Sequence, residues 1–180
     1  MYITYNYPML HILYKIYCSV IGMDIKKDEL TIAVLLPVAV GTVAAYFTKG
    51  AQLAFGMMSK PPLSPPAWVF PVVWTILYVL MGIASYIIWR QGFERDDVKA
   101  ALKIYLVQLA FNFFWSIFFF NLEWYLFSFI WLAALWGMIL VTILKFNKIS
   151  KAAAYMMIPY LVWVTFAGYL NLGICMLNPK

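Results

Sequence analysis

Five long stretches of this 180-residue chain hold no Asp, Glu, Lys, Arg or His: Leu30 to Phe47, Ala67 to Trp89, Ile104 to Leu122, Trp124 to Leu144 and Ala152 to Asn178. Without an ionisable group, none of them can supply a Ser-His-Asp arrangement, and none can carry the relay of charged residues expected of a proton-coupled pump. Histidine occurs once, at His11, and the two cysteines, Cys18 and Cys175, have no metal-ligand spacing. A zinc set, a CxxC pair and an in-span axial His for a haem iron are therefore excluded, and no metal or other cofactor is expected.

What remains is apolar. Hydrophobic residues make up 66% of the chain and charged residues 11%, against about 25% charged in soluble domains. Each charge-free stretch is long enough for a helix to cross a hydrocarbon core, which takes about 17 to 25 residues. The stretches are continuous, not short and alternating, which disfavours a β-barrel. The fold class expected is an all-α integral membrane protein, a bundle of five transmembrane helices, with residues 30–178 as a single membrane domain. No internal repeat marks an inverted-topology transporter.

Ten of the thirteen Lys and Arg residues fall before the first span or in the second and fourth connections; Lys49, Lys60 and Lys180 fall on the other side. Because basic flanks stay in the cytoplasm, the N-terminus is expected to be cytoplasmic if the membrane is a plasma membrane. The net charge of +6 thus signals orientation, and no stripe is basic enough for nucleic acid. Residues 1–29 form an extension rich in Tyr. It reads as an interfacial segment, or as residues ahead of a true start at Met23.

The polar groups inside the spans form stripes. Gln108, Asn112 and Trp115 or Ser116 share one face of the third span, and Tyr160, Trp163, Ala167 and Asn171 share one face of the fifth. An amide in hydrocarbon costs several kcal/mol, on the order of 2 to 7, unless partnered, so both faces should meet protein. Two readings stand: the amides join helices by hydrogen bonds, or they orient the polar edge of a ligand. Trp115 and Trp163 lie near mid-span and not at the interface where Trp usually anchors; with Trp74 they would make a flat aromatic slot. Trp68, Trp89, Trp124, Trp131 and Trp136 are read as anchors.

One connection is unusual. The segment KPPLSPPAWVFP, from Lys60, holds five of the nine prolines, so it cannot continue either neighbouring helix and should be stiff and extended. The whole connection from Thr48 to Pro66 is long for a helix hairpin, which marks Lys60, Pro61, Leu63, Pro65 and Pro66 as a candidate lid. The alternative is a rigid spacer.

The stretches KPPLSPPAWVFPVVWTILYVLMGIASYIIW, QLAFNFFWSIFFF and SKAAAYMMIPYLVWVTFAGYLN resemble, in order and spacing, the tryptophan-rich sensory protein and translocator protein (TspO/MBR) family, over Leu30 to Asn178. The resemblance implies a five-helix bundle, often a homodimer, whose first connection covers a pocket for porphyrins, haem-type tetrapyrroles and isoquinoline or benzodiazepine-like compounds. It also implies, for some bacterial members, light-dependent breakdown of protoporphyrin. By this likeness Trp74, Asn112, Trp163 and Ala167 are pocket residues. The candidate ligand-binding set is Trp74, Gln108, Asn112, Trp115, Tyr160, Trp163 and Ala167. Two functions follow. One is a membrane receptor-like protein that binds a tetrapyrrole for sensing, regulation or transport; the other is a photochemical enzyme using Trp74 and Trp163. Binding is favoured, with the tetrapyrrole as ligand and membrane lipid as the surrounding partner.

The chain departs from the family pattern in three places. Leu63 stands where a lid Trp is usual, Ala54-Phe55 where a Trp-Tyr pair is usual, and Gly173 where the sterol motif needs Tyr. Weaker stacking from the lid is expected, and no sterol binding through that motif.

Overall fold

The computed structural model describes residues 26–55 and 58–178, with the backbone alone for 51–55. Among the described residues five helices make up the bundle: α1 Lys27–Phe55, α2 Val69–Trp89, α3 Asp96–Ser116, α4 Tyr125–Ile149 and α5 Lys151–Leu177. All five are long and apolar enough to cross a membrane. The chain is thus an all-helical, multi-pass membrane protein. Most of the Tyr-rich extension, and with it Cys18 and His11, falls outside the described residues.

The helices outrun the apolar stretches that mark them. Helix α1 continues past Phe47 through Lys49 and Gln52 to Phe55. The connection is therefore residues 56–68, shorter than the expected Thr48 to Pro66. A charged residue ends an apolar run without ending a helix: 29 residues extend about 44 Å at 1.5 Å per residue, beyond a core of about 30 Å. Helix α3 likewise starts two turns before Ile104, at Asp96 and Asp97, whose charges suit the positive end of the helix dipole. Ser150 is the only residue between α4 and α5; it is extended, and its hydroxyl accepts from the Ala153 N–H as an N-cap.

Helix α1 packs along α2, α2 along α5, α5 along α4, α4 along α3, and α3 back on α1, closing a ring. The lysine-rich end is solid, filled by Met81, Ile88, Leu135, Ile139, Phe146 and Met157, all fully buried. Arg90 of α2 bridges to Glu29 of α1 there at 3.3 Å. The opposite end is different. At Ile117–Asn121 helix α3 widens into a π turn, with the Leu122 N–H reaching the Ile117 carbonyl at 3.1 Å. Such turns displace the side chains that follow them and recur at functional sites.

Candidate functional site

Small residues on α1 open the space. Gly41, Ala44, Ala45 and Thr48 recur at i, i+3, i+4 and i+7, and all four line a cavity of about 280 Å³ in the proline-rich half of the bundle. A Cβ on Gly41 would collide with the Tyr78 ring, so the glycine is what lets α2 pack this closely. Four helices and the connection wall the cavity; α4 does not reach it.

The remaining walls are largely aromatic. Trp74 comes from α2, Trp115 and Phe119 from α3 and its π turn, and Trp163 from α5. Each indole is held. Trp74 stacks on Tyr78, ring centroids 5.5 Å apart, and meets Tyr160 edge-on at 6.1 Å. Trp115 stacks on Phe119, four residues on, at 5.4 Å. Its Nε1–H donates to Asn171 Oδ1 at 3.2 Å. Asn171 also accepts from the Ser128 hydroxyl and donates to the Tyr125 carbonyl, at 3.0 and 2.8 Å, so it fixes Trp115 against α4. Trp163 meets Phe70 edge-on at 6.0 Å. Its Nε1–H is buried and makes no hydrogen bond.

Of the seven candidate ligand-binding residues, Trp74, Trp115, Trp163 and Ala167 lie on the cavity wall. Gln108, Asn112 and Tyr160 do not; they are fully buried deeper in the bundle. There Asn112 joins three helices: Tyr78 O–H donates to its Oδ1 at 2.8 Å, and its Nδ2 donates to Tyr160 Oη at 3.2 Å. Both amide atoms of Gln108 are buried without a hydrogen-bond partner. Tyr78, Phe70, Phe119 and Asn171 also line the cavity and were absent from the candidate set, although Asn171 stood on the α5 stripe. The small face of α1 was visible at helical spacing, and Phe119 lies four residues after the candidate Trp115, on the same helix face.

The proline-rich connection lies over the end of α5. Lys60 and Pro65 line the cavity. Pro61 rests where a side chain on Gly173 would begin, 2.6 Å from that Cβ position, so the glycine makes room for the connection. The Tyr169 hydroxyl donates to the Pro62 carbonyl at 2.7 Å. Asn178 pairs twice with the Ser59 main chain, at 3.2 and 2.9 Å. Ser64 closes a local turn on the Pro61 carbonyl at 2.7 Å, and Pro66 accepts from Val69 N–H at the start of α2. Leu63 is 83% exposed, with a positive φ of 65°, and does not line the cavity. The side chains of Ala54 and Phe55 lie outside the described residues.

A membrane-spanning helical bundle with a largely aromatic cavity at one end is the class of protein these features define. The chain belongs to the TspO/MBR family, whose model matches residues 33–177. It is 38% identical to the "Tryptophan-rich protein TspO" of Chlorobaculum tepidum, over 85% of this chain and 99% of that one. It is 36% identical to the "Translocator protein" of Bos taurus, over 76% and 82%. The "Tryptophan-rich sensory protein" of Cereibacter sphaeroides is 33% identical, over 73% and 83%.

Proposed function

We propose that the protein is a membrane receptor for a flat, largely apolar ligand of the porphyrin or haem-type tetrapyrrole class, bound between Trp74, Trp115 and Trp163, with a role in sensing, regulation or transport. The observation that carries this reading is the convergence of three tryptophans from three helices on one cavity. Isoquinoline and benzodiazepine-like compounds belong to the same reading, being flat and apolar. The lysine-rich end faces the cytoplasm, and exposed apolar side chains such as Ile32, Leu35, Leu126 and Val162 face lipid, in a homodimer.

The connection is the lid in this proposal. Drug-sized ligands occupy pockets of about 300 to 1,000 Å³, and 280 Å³ is too small to enclose a substituted tetrapyrrole. The ligand therefore enters with its ring partly inserted or with residues 58–66 lifted. Because proline has stiffened that segment, lifting it releases little chain entropy, and the contacts of Pro61, Pro62 and Ser59 with α5 set the resistance to opening.

The test is a protoporphyrin titration of the purified protein by tryptophan quenching, in the dark and then under illumination. Saturable quenching with an unchanged porphyrin spectrum supports the receptor. Light-driven loss of the main porphyrin band that disappears in Trp74→Phe or Trp163→Phe makes the protein an enzyme, and absence of saturable quenching removes the proposal.

A further inference from the structure

Three carboxylates at the lysine-rich end are engaged: Glu29 with Lys26 and Arg90, Glu94 with Lys99, and Asp97 with Arg95. Lys145 and Lys148, in the last turns of α4, and Lys151, the first residue of α5, form no ion pair among the described residues. Neither helix can provide one, because no Asp or Glu follows Glu123 in the chain. Helix α2, packed on α5, holds no acid either. Helix α3, packed on α4, holds Asp96 and Asp97. Tyr105 of α3 is level with Phe146 of α4, ring centroids 6.1 Å apart. Asp96 therefore lies about 13 Å beyond that level toward water, against about 3 Å for Lys148.

The corner that carries these lysines is locked. Ser150 donates its N–H to the Phe146 carbonyl at 2.6 Å, and its own carbonyl accepts from the Ala154 N–H at 3.2 Å. Its hydroxyl accepts from the Ala153 N–H. Lys145 and Lys148 are neighbours one turn apart, and the three residues from Lys148 to Lys151 span at most about 10 Å. Three ammonium groups thus reach one point from backbone positions that are already fixed, so little chain is ordered when an anion arrives.

The surface beside them is apolar. Val141, Leu144, Lys145 and Lys148 recur at i, i+3, i+4 and i+7 on one face of α4, and Val141 and Leu144 are 41% and 55% exposed. On α5, Lys151, Tyr155 and the exposed Ile158 repeat the order at i, i+4 and i+7. Both faces pass from cation to hydrocarbon surface within two turns, as a lipid passes from headgroup to chain.

We propose that the α4–α5 corner is a binding site for an anionic phospholipid, with Lys145, Lys148 and Lys151 around its phosphate and an acyl chain along Val141 and Leu144. A zwitterionic lipid brings its own ammonium to the same place and gains less. The inference is independent of the tetrapyrrole reading and of which leaflet the lysine-rich end faces. A lysine near an anionic headgroup contributes up to about fivefold in affinity, and salt narrows the effect.

The experiment is native mass spectrometry of the purified full chain in neutral detergent, titrated with phosphatidylglycerol or with phosphatidylcholine of the same chains. The wild-type protein is expected to retain phosphatidylglycerol at about tenfold lower concentration. Each of Lys145→Gln, Lys148→Gln and Lys151→Gln should weaken that retention about two- to fivefold, and the triple Gln variant should lose the preference. The triple Arg variant should keep it, as should Lys27→Gln, at the same end on α1. Thermal unfolding in phosphatidylcholine should be unchanged in the Gln variants; if the triple variant does not fold, the three single ones carry the test. Equal wild-type retention of the two lipids, a preference that survives the Gln substitutions, or an equal loss in Lys27→Gln overturns the site. Glycerol phosphate binding as tightly as the lipid overturns its assignment to a lipid.

Discussion

Replacing Asn112 with alanine separates the two roles an intramembrane amide can have. Its side chain accepts from Tyr78 at 2.8 Å and donates to Tyr160 at 3.2 Å, with all three residues buried. Interhelical hydrogen bonds in membranes average about 0.6 and reach about 1.7 kcal/mol, and a buried polar group stripped of its partner costs about 1 to 3 kcal/mol more. The substitution breaks two bonds and strands two phenols, so the expected loss is about 2 to 4 kcal/mol. On the scaling for domains of this size that lowers Tm by about 5 to 10 °C. The assay is thermal unfolding in detergent or nanodiscs, alongside Asn112→Leu combined with Tyr78→Phe and Tyr160→Phe. The triple variant should recover much of the lost stability, because apolar groups of similar shape leave nothing unpaired. Asn112 lies off the cavity wall, so tetrapyrrole affinity should stay within about threefold of wild type, under 1 kcal/mol. An unchanged Tm with an affinity loss beyond tenfold would refute the reasoning and make Asn112 a ligand contact.

Three further substitutions test other parts of the bundle. Trp163→Ala should weaken porphyrin binding several-fold to about tenfold, an aromatic pair being worth about 0.5 to 1.5 kcal/mol beyond area burial. Trp131→Ala should not, since that indole stacks on Phe111 at 4.2 Å away from the cavity; equal losses in a quenching titration would count against the slot. Gly173→Ala places a methyl 2.6 Å from Pro61, so the connection must shift at a cost of about 1 to 3 kcal/mol. Faster ligand release in stopped-flow is expected, and an unchanged off-rate would separate the connection from retention. Gln108→Met removes a fully buried amide with no partner at either atom and should raise Tm. A fall in Tm would show that the amide is satisfied in the membrane.

Helix faces were legible in the sequence, but heights along them were not. Gln108 and Trp115 share a face of α3, yet seven residues separate them by about 10 Å along the axis. Trp115 lies on the cavity wall; Gln108 lies in the solid half. The same holds on α5, where Tyr160 is one turn deeper than Trp163. Charge-free runs located the spans but misjudged their ends, because Lys49 and Asp97 are compatible with a helix that extends beyond hydrocarbon. The closure of the cavity was not visible either. It depends on Gly173 accepting Pro61, which follows from tertiary packing and not from any local preference.

The most direct test of the binding account fills the cavity. Ala167 lies on the wall and is 7% exposed, so Ala167→Phe projects a ring into the open space between Trp163 and the other indoles. The account predicts saturable protoporphyrin quenching reduced by more than about tenfold, 1.4 kcal/mol or more, with Tm unchanged or raised. Wild-type affinity in a variant of unchanged Tm would contradict it and place the ligand elsewhere on the protein.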